Sequence, residues 1–579
     1  MKKLSFLSLF VVLSVLLSCT SEKATYRKIS VDEYMDKVKA GWIGQMVGVG
    51  WGGPTEFKWN GVIIPEKEMP TWEPGMVNQF HQDDIYVEMT FLRTLEKYGW
   101  DVSIRQAGID FANSRYMLWH ANKEGRDNLR SGIAAPWSGH PKFNHHADDI
   151  DYQIEADYAG LISPGMPNLG IELGETFGRI MNYGDGLYGG NFVAGMYAEA
   201  FFENDMGKIV EAGLKCVPAE SQYAEAIRDV IEQYHQHPDN WVEAWTFINE
   251  KYNNDPGYRK FSCSGMDAFN IDAKINGAYI VMGLLYGEGD IAKTTVISTR
   301  CGQDSDCNPA NATGILCTTI GFENLPDDYK SALDYETRFS YTDYNVSELI
   351  NVCAMLVRQA VERGGGKIET GDDGKEYFFI AVEEPVPGDL EQCWEPSETP
   401  EDVHLTEEEM ARIEIRIITR DAYIHQWNVS GPYAEESKDA GQLFDYIFLP
   451  EKDQDKAEWK SVSLEGDKGS WMVDFTQLFE GVNVAAYVRS TVLSPADQDA
   501  QLFVGSDDGI KVWLNGELVH QNDVQRGFQE GEDAFGIHLN EGANTLMMKI
   551  TQGNGGWAAA AVVCDLSGNP LEGLEYKAE

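Results

Sequence analysis

Two pairs of aspartates are the residues of this chain whose type and spacing suit metal binding or catalysis. Asp83 and Asp84 lie in the segment FHQDDIYVEM, and Asp304 and Asp306 lie in RCGQDSDCNPA. Carboxylates brought close together repel one another unless a cation lies between them, and oxygen ligands favour Mg²⁺, Mn²⁺ or Ca²⁺ over Zn²⁺. The two pairs therefore predict a site for a hard divalent cation.

Helices are the elements that must position these aspartates. An apolar run of helical period follows each pair, at residues 85–95 and 310–320, so both pairs are expected at helix N-termini. Asp is also a favoured N-cap and suits the dipole of a first helical turn, so each pair alone has a purely structural explanation. The occurrence of two pairs, with Gly302 before the second, favours the metal site.

The hydrophobic period changes near residue 400. Before it, amphipathic helical stretches follow one another between Gly-, Asn- and Pro-rich loops. After it, short apolar runs alternate with turn signals such as Asn515-Gly516, which is typical of a hairpin. The pattern predicts a multidomain chain, with an all-α domain at residues 25–370, a linker at 371–410 and an all-β sandwich or jelly roll at 411–579. The predicted helices include 85–98, 170–183, 192–202, 223–234, 241–251, 273–286, 291–299 and 346–362.

The first residues favour export from the cytoplasm. Lys2 and Lys3 precede a short apolar run that ends in Leu16-Leu17-Ser18-Cys19, which is similar to a bacterial lipoprotein cleavage box. We expect residues 1–18 to be a signal peptide and Cys19 to be the lipidated first mature residue. The protein would then be a lipid-anchored lipoprotein of the cell envelope, in the outer membrane or periplasm. The alternative is an ordinary signal peptide with an unrelated cysteine.

The charge balance excludes some classes of partner. Lys and Arg number 46 against 93 Asp and Glu, a formal charge of −47. Such a chain repels nucleic acid and anionic membrane surfaces, so we expect no nucleic-acid partner and membrane contact only through the lipid anchor. The excess of acid is otherwise typical of a solvated surface.

Three segments together resemble the ADP-ribosylglycohydrolase family, over roughly residues 41–321. Residues 48–57 are similar to the family's Gly-rich loop that ends in a Glu-aromatic pair, Gln82-Asp83-Asp84 to its Thr-Asp-Asp motif, and residues 301–308 to its Gly-Gly-Asp-Thr-Asp-Thr motif. The chain departs from the pattern at Gln82 and Cys307, where threonines are usual, and at Val49, where an aspartate is common.

The resemblance implies roles for particular residues. Asp83, Asp84, Asp304 and Asp306 would hold two Mg²⁺ or Mn²⁺ ions, Asp84 would also take part in catalysis, and Glu56 would handle a proton from a mobile loop. Tyr188 and Gly189 fall where the family has a substrate-contacting loop, although a simple turn between helices is the alternative. Apart from the resemblance, the segment 145–151 offers side chains of the metal-ligand type, namely His145, His146, Asp148, Asp149 and Asp151. Asp149 is assigned to substrate binding there, although a plain acidic helix cap is the alternative.

These residues suit cleavage of a glycosidic bond. The reaction needs carboxylates that activate water and assist the leaving group, and a metal ion can orient both. We therefore expect a metal-dependent glycoside hydrolase that cleaves a furanoside or ribosyl-like bond, in a carbohydrate or a ribosylated small molecule, outside the cytoplasm. The alternative is a non-catalytic glycan-binding lipoprotein on the same scaffold, in which Gln82 and Cys307 mark a lost activity.

Overall fold

The computed structural model describes residues 25–116, 118–415, 420–464, 470–528, 530–566 and 568–578. Cys19 and the predicted signal peptide, residues 1–18, lie outside these residues. The described residues divide into two compact units, of which the first comprises those within 25–129 and 133–404 and the second those within 130–132 and 405–578. None of the described helices combines the length and the apolar character that crossing a bilayer requires.

Helices form most of the chain before residue 404, as predicted. Their caps follow the sequence: Asn345 and Glu348, for example, bond reciprocally at the start of the helix 346–363. The helices are α1 (Val31–Gly52), α2 (Asp83–Tyr98), α3 (Ile104–Ala112), α4 (His120–Arg130), α5 (Asp151–Ile154), α6 (Asp157–Leu161), α7 (Pro167–Thr176), α8 (Asp185–Ala200), α9 (Met206–Leu214), α10 (Gln222–Gln236), α11 (Trp241–Ile248), α12 (Ala273–Tyr286), α13 (Ile291–Arg300), α14 (Cys307–Ile320) and α15 (Val346–Arg363).

Helices α1 and α14 form the centre of the first unit because glycines on α1 let the two backbones approach closely. A Cβ atom on Gly48 would lie 2.2 Å from the carbonyl oxygen of Pro309, and one on Gly52 would lie 2.0 Å from that of Ser305. The Gly-rich segment predicted as a loop is therefore the end of a buried helix. Its glycines are explained by helix packing, and Gly52 lies against the residues of the second aspartate pair.

The first unit also contains a small antiparallel sheet, an addition to the all-α prediction. Strand β3 (Glu376–Ala381) lies between β1 (Tyr26–Ser30) and β2 (Lys367–Thr370). Phe378 and Ile380 of β3 are fully buried. Residues 376–381 thus form a central strand within the stretch predicted as a linker, because their alternating apolar side chains cover the helical core.

The second unit is an antiparallel β-sandwich. One sheet has the strand order β10-β9-β12-β7-β4-β5 with β14 also on β7, and the other has the order β11-β8-β13-β6. Residues of both sheets, among them Trp427, Val488, Leu502 and Val563, share one buried core. The strands are β4 (Gln426–Tyr433), β5 (Lys460–Ser463), β6 (Val473–Asp474), β7 (Val484–Ser494), β8 (Gln498–Asp507), β9 (Ile510–Leu514), β10 (Glu517–Asn522), β11 (Asp533–Leu539), β12 (Gly542–Gln552), β13 (Ala558–Cys564) and β14 (Glu575–Lys577), and the short helices are α16 (Glu407–Met410), α17 (Ala440–Phe444) and α18 (Leu449–Lys452).

The predicted fold class, a helical domain followed by a β-rich domain, is confirmed. The Asn515-Gly516 turn joins β9 to β10, with both residues at positive φ, as the hairpin signal indicates.

Candidate active site

The two aspartate pairs lie at helix starts, as predicted. Asp83 and Asp84 are the first residues of α2, and Asp306 directly precedes α14. The N-cap residues are Gln82 and Asp306, and neither side chain makes a capping hydrogen bond. Helix capping therefore does not account for these acids.

The aspartates converge on Asp306. Carboxylate oxygens of Asp84 and Asp306 and the sulfur of Cys307 lie within 4.8 Å of one another, and so do oxygens of Glu56, Asp304 and Asp306. Asp306 belongs to both groups, so the two groups adjoin. Asp83 belongs to neither group, although it directly precedes Asp84, and burial, followed by the charge of Asp306, raises its pKa.

The unpaired oxygens of this cluster fit a bound cation. Asp84 and Asp304 are 1% and 2% exposed, and among the described residues both carboxylate oxygens of Asp84 and one of Asp304 have no hydrogen-bond partner. Leaving buried charged oxygens unpaired costs several kcal/mol, on the order of 2–7 even for neutral polar groups. Hard oxygen ligands of this kind suit Mg²⁺ or Mn²⁺.

Cys307 does not contribute a hard ligand. Its thiol donates to Oδ1 of Asp306 over 3.8 Å, and burial, followed by the charge of Asp304, holds its pKa well above the usual range. The group therefore stays a thiol, which packs against the aspartates at the position where the family usually has a threonine.

Burial and mutual repulsion raise the pKa values of the carboxyl groups of the cluster, which favours their protonated forms when no cation is bound. Burial, then the charge of Asp306, raises the pKa of Asp83 to about 6 and holds those of Asp84 and Asp304 well above their usual range. Burial, then the charges of Asp306 and Asp83, raises the pKa of Glu56 to about 8. Each pKa shift arises because the site concentrates negative charge in a place where little water can solvate it.

Glu56 differs from the aspartates because it is exposed to solvent, although its carboxylate faces the buried acids. Its segment is joined to the second aspartate segment by three contacts. The hydroxyl groups of Thr55 and Ser305 lie 2.9 Å apart, the backbone N–H of Phe57 donates to Gln303, and that of Gln303 donates to Trp59. These contacts place Glu56 at the solvent-facing side of the cluster.

Asp149 lies in a second cluster rather than among the five carboxylates. His120, His146 and Cys263 surround it, with all four ligand atoms within 4.8 Å of one another. The two clusters are linked by packing, because the ring of His120 stacks on Phe269 and Phe269 packs against Phe57, the residue after Glu56. Sequence reasoning considered Asp149 and missed His120 and Cys263, since no local spacing links three segments so far apart in the chain.

Tyr188 and Gly189 lie within helix α8 and are buried. The hydroxyl group of Tyr188 donates to the carbonyl of Asp389 and accepts from the backbone N–H of Glu391. A Cβ atom on Gly189 would lie 2.6 Å from Oε1 of Gln153. The Tyr188 hydroxyl thus holds the segment 389–391, Gly189 packs on a neighbouring helix, and substrate binding by the two residues stays a prediction.

The fold and the site define a helical domain with an acidic cluster suited to a metal ion, followed by a β-rich domain. A profile of the ADP-ribosylglycohydrolase family matches residues 30–364. The chain belongs to this family, as the three motifs predicted, and the family is typically metal-dependent. No curated protein matches the chain.

Three solved structures illustrate the similarity found by structural comparison. An ADP-ribosylglycohydrolase-related protein complex is 14% identical, with a TM-score of 0.38, and the match covers 57% of this chain and 99% of that one. A β-glucosidase from Kluyveromyces marxianus in complex with glucose is 14% identical, with a TM-score of 0.16 over 26% of this chain and 18% of that one. The PA14 domain of the MpAFP antifreeze protein is 13% identical, with a TM-score of 0.15 over 27% of this chain and 72% of that one.

Proposed function

We propose that the chain is a metal-dependent glycoside hydrolase that cleaves a furanoside or ribosyl-like bond. The observation that carries this proposal is Asp84, whose two buried oxygens have no hydrogen-bond partner among the described residues and whose carboxylate lies beside Asp306 where two helices start. Family membership supports hydrolysis of a glycosyl bond in general terms. The furanoside preference and the metal requirement are our inferences.

Four aspartates would hold the metal: Asp83, Asp84, Asp304 and Asp306. Without Cys307 and Glu56, the two adjoining groups leave Asp306 with Asp84 in one and with Asp304 in the other, and this arrangement supports a pair of Mg²⁺ or Mn²⁺ ions. When bound, such ions lower the pKa of a water molecule and orient sugar hydroxyl groups. The aspartates would then be ionised, because a nearby cation favours the charged form of a carboxyl group.

Glu56 and Asp84 would divide the proton transfers. Glu56 is placed to act as the general acid that donates a proton to the departing glycosidic oxygen, and in the metal-free protein burial, followed by the charges of Asp306 and Asp83, raises its pKa to about 8. Asp84 lies deeper and has free oxygens, so it can accept a proton from the attacking water. Because Glu56 faces solvent, the leaving group would depart on that side.

Metal binding and activity can be tested together. Chelator-treated protein should gain thermal stability on addition of Mg²⁺ or Mn²⁺, by about 2.7 kcal/mol at a concentration a hundredfold above Kd. The same addition should restore hydrolysis of an aryl furanoside within a panel of furanosides, pyranosides and ADP-ribose conjugates. Asp304→Asn should lose both effects, and the exposed Asp239→Asn should keep both.

The outcomes separate the alternatives. If neither ion changes the melting temperature and calorimetry detects no binding, the metal centre is refuted. If the ions bind but no member of the panel is hydrolysed, the non-catalytic glycan-binding alternative is favoured. Hydrolysis of pyranosides alone would reject the furanoside preference and retain the hydrolase.

We propose further that the protein acts in the cell envelope, tethered through Cys19. The proposal is supported by the apolar run before Leu16-Leu17-Ser18-Cys19. Full-length protein should partition with membranes and incorporate labelled fatty acid, whereas Cys19→Ser should do neither. Equal membrane partition of the two proteins would refute the lipid anchor.

A further inference from the structure

The second cluster has a different chemistry from the acidic one. His120 begins α4, His146 and Asp149 lie in the turn before α5, and Cys263 lies in the loop before α12. Nδ1 of His146 lies 2.7 Å from Oδ2 of Asp149, and Nδ1 of His120 lies 3.4 Å from the same oxygen. Three separate segments thus direct nitrogen, oxygen and sulfur atoms to one point.

Hydrogen bonding within the protein does not satisfy this cluster. Asp149 is fully buried, and its Oδ1 has no hydrogen-bond partner among the described residues. Nδ1 of His120 is also buried and makes no hydrogen bond there. A buried carboxylate oxygen and a buried ring nitrogen left unpaired at the same point are the atoms that a cation would bind.

The charge around the cluster also favours a cation. Asp151 and Asp272 are buried nearby, and both act electrostatically on the groups of the cluster. The buried basic groups are engaged elsewhere: Lys274 contacts Asp148, Asp185 and Asp272, and the Arg259 guanidinium donates to backbone and side-chain oxygens of its own loop. His146 and His120 are therefore the basic groups nearest to Asp149, and both contact only its Oδ2.

We propose that His120, His146, Asp149 and Cys263 form a binding site for a transition-metal ion of the Zn²⁺ class. Nitrogen and sulfur ligands select such ions over Mg²⁺, and four protein ligands are typical of a structural zinc site. Bonds of about 2.0–2.3 Å in a tetrahedron place the ligand atoms roughly 3.3–3.8 Å apart, so small side-chain rotations suffice. The proposal assigns Asp149 to a metal rather than to direct contact with substrate.

A metal ion at the second cluster would stabilise the segment that packs beside Glu56. The ring of His120 stacks on Phe269 of the Cys263 loop, and Phe269 packs against Phe57, the residue after Glu56. A metal ion at the second cluster would fix that loop against α4 and the turn at residues 146–149. The ion would thus act on the geometry of the first site without contacting its substrate.

Co²⁺ is a suitable probe because its spectrum reports both geometry and ligands. Full-length protein saturated with Mg²⁺ should bind Co²⁺ with tetrahedral d–d bands and a sulfur-to-cobalt charge-transfer band, and Zn²⁺ should displace it. Cys263→Ser should lose the charge-transfer band. His146→Ala should weaken Co²⁺ binding by at least about tenfold, because even the loss of a residue that only orients a metal ligand costs about that much in affinity. His145→Ala is the matched control, because His145 is exposed and pairs with Glu124, and it should bind as the parent does.

Two results would overturn the proposal. One is a cobalt spectrum without a thiolate band, which would show that Cys263 does not bind the ion. A spectrum that is abolished by Asp304→Asn, and not by His146→Ala, has the same consequence, because the ion would then lie in the acidic cluster. The other comes from an alkylation experiment on the parent protein, measured by peptide mass spectrometry. The proposal predicts that Zn²⁺, but not Mg²⁺, protects Cys263 from alkylation. Equal labelling with and without Zn²⁺ would reject Cys263 as a ligand.

Discussion

Glu56 is the residue at which the proposed chemistry can be separated from metal binding. It faces solvent, whereas the aspartates that would bind metal are largely buried. Glu56→Gln keeps the size of the side chain but cannot donate a carboxylic proton, so kcat should fall by about 10²–10⁴-fold while Mg²⁺ affinity changes little. Steady-state kinetics and calorimetry on the same preparation measure the two quantities.

The exposed Glu66→Gln provides the matched control for this prediction, because Glu66 lies on the following segment. It should leave kcat unchanged. A Glu56→Gln enzyme that keeps its kcat within about threefold, well below the acid–base range, would remove Glu56 from proton transfer.

The raised pKa values predict how the metal-free protein responds to pH. The folded-state pKa values of Asp83, about 6, and Glu56, about 8, lie above those of an unfolded chain. The folded state therefore holds protons that the unfolded state releases, and this contribution to stability is full below about pH 4 and is lost as pH rises through those values. Chelated protein should melt at a lower temperature at pH 8 than at pH 5.

Two further measurements identify the groups responsible. Mg²⁺ should raise the melting temperature more at pH 8 than at pH 5, because protons compete with the ion for the same carboxylates. Asp83→Asn should flatten the pH dependence of the chelated protein, and Asp239→Asn should not. A melting temperature of the chelated parent that rises from pH 5 to pH 8 would contradict the assigned shifts.

Residue types predicted the acidic cluster because its ligands come in two short motifs. Asp83-Asp84 and Asp304-Ser305-Asp306 each place two acids within one helix start, so the sequence alone shows half of the site at a time. The second cluster offered only half of such a signal, because His146 and Asp149 lie in one segment of metal-ligand side chains. His120 and Cys263 come singly from distant segments, and only the tertiary fold brings them to Asp149.

At the scale of elements, amphipathic helices were predictable and the central buried helix was misjudged. Predicted helix 273–286 matches α12, and 346–362 differs from α15 by one residue. The C-terminal half of α1 is buried on all sides, so its apolar residues form no stripe, and glycines at 48, 50 and 52 suggested a loop. Close packing on α14 overrides this weak helix propensity.

The packing of α1 on α14 predicts how glycine substitutions act. In Gly48→Ala the new methyl group would lie 2.5 Å or less from backbone atoms of Pro309 and Ala310, which cannot rotate away. We expect destabilisation of about 1–3 kcal/mol or more from overpacking. In Gly75→Ala nothing lies within 4 Å of the new methyl group, so urea unfolding should show little change.

Gly52→Ala should affect the site as well as the fold. Its methyl group would lie 2.6 Å from Cα of Asp306, the residue common to both ligand groups. For the same loss of folding stability, Gly52→Ala should therefore lose more Mg²⁺ affinity than Gly48→Ala. Equal losses of affinity would show that α1 supports the helix pair without positioning Asp306.

At the scale of the whole molecule, the change of hydrophobic period indicated two modules but not where the first one ends. Residues 371–404 are rich in Pro and Glu, which suggested a linker, yet they belong to the first unit. Arg179 forms an ion pair with Glu391, and Cys393 is buried beside Tyr183. The linker was predicted from composition alone, and the prediction was wrong because an irregular segment can pack well when its few apolar and charged side chains make specific contacts.

This difference predicts the behaviour of fragments. Fragment 25–404 should unfold cooperatively, whereas 25–370 lacks β3, which pairs with both β1 and β2 and places Phe378 against Tyr34. Losing two fully buried side chains costs more than about 5 kcal/mol, comparable to the stability of a whole domain. Urea titration of 25–370 should therefore show a much lower midpoint or no cooperative transition.

A graded series makes this last prediction specific. Fragment 25–390 keeps β3 but lacks Glu391 and Cys393, so its midpoint should lie between those of 25–370 and 25–404. Fragment 405–579 has its own core between two sheets and should unfold cooperatively by itself. If 25–370 and 25–404 share one midpoint, residues 371–404 contribute nothing to the helical unit, and the boundary predicted from composition at residue 370 would be the correct one.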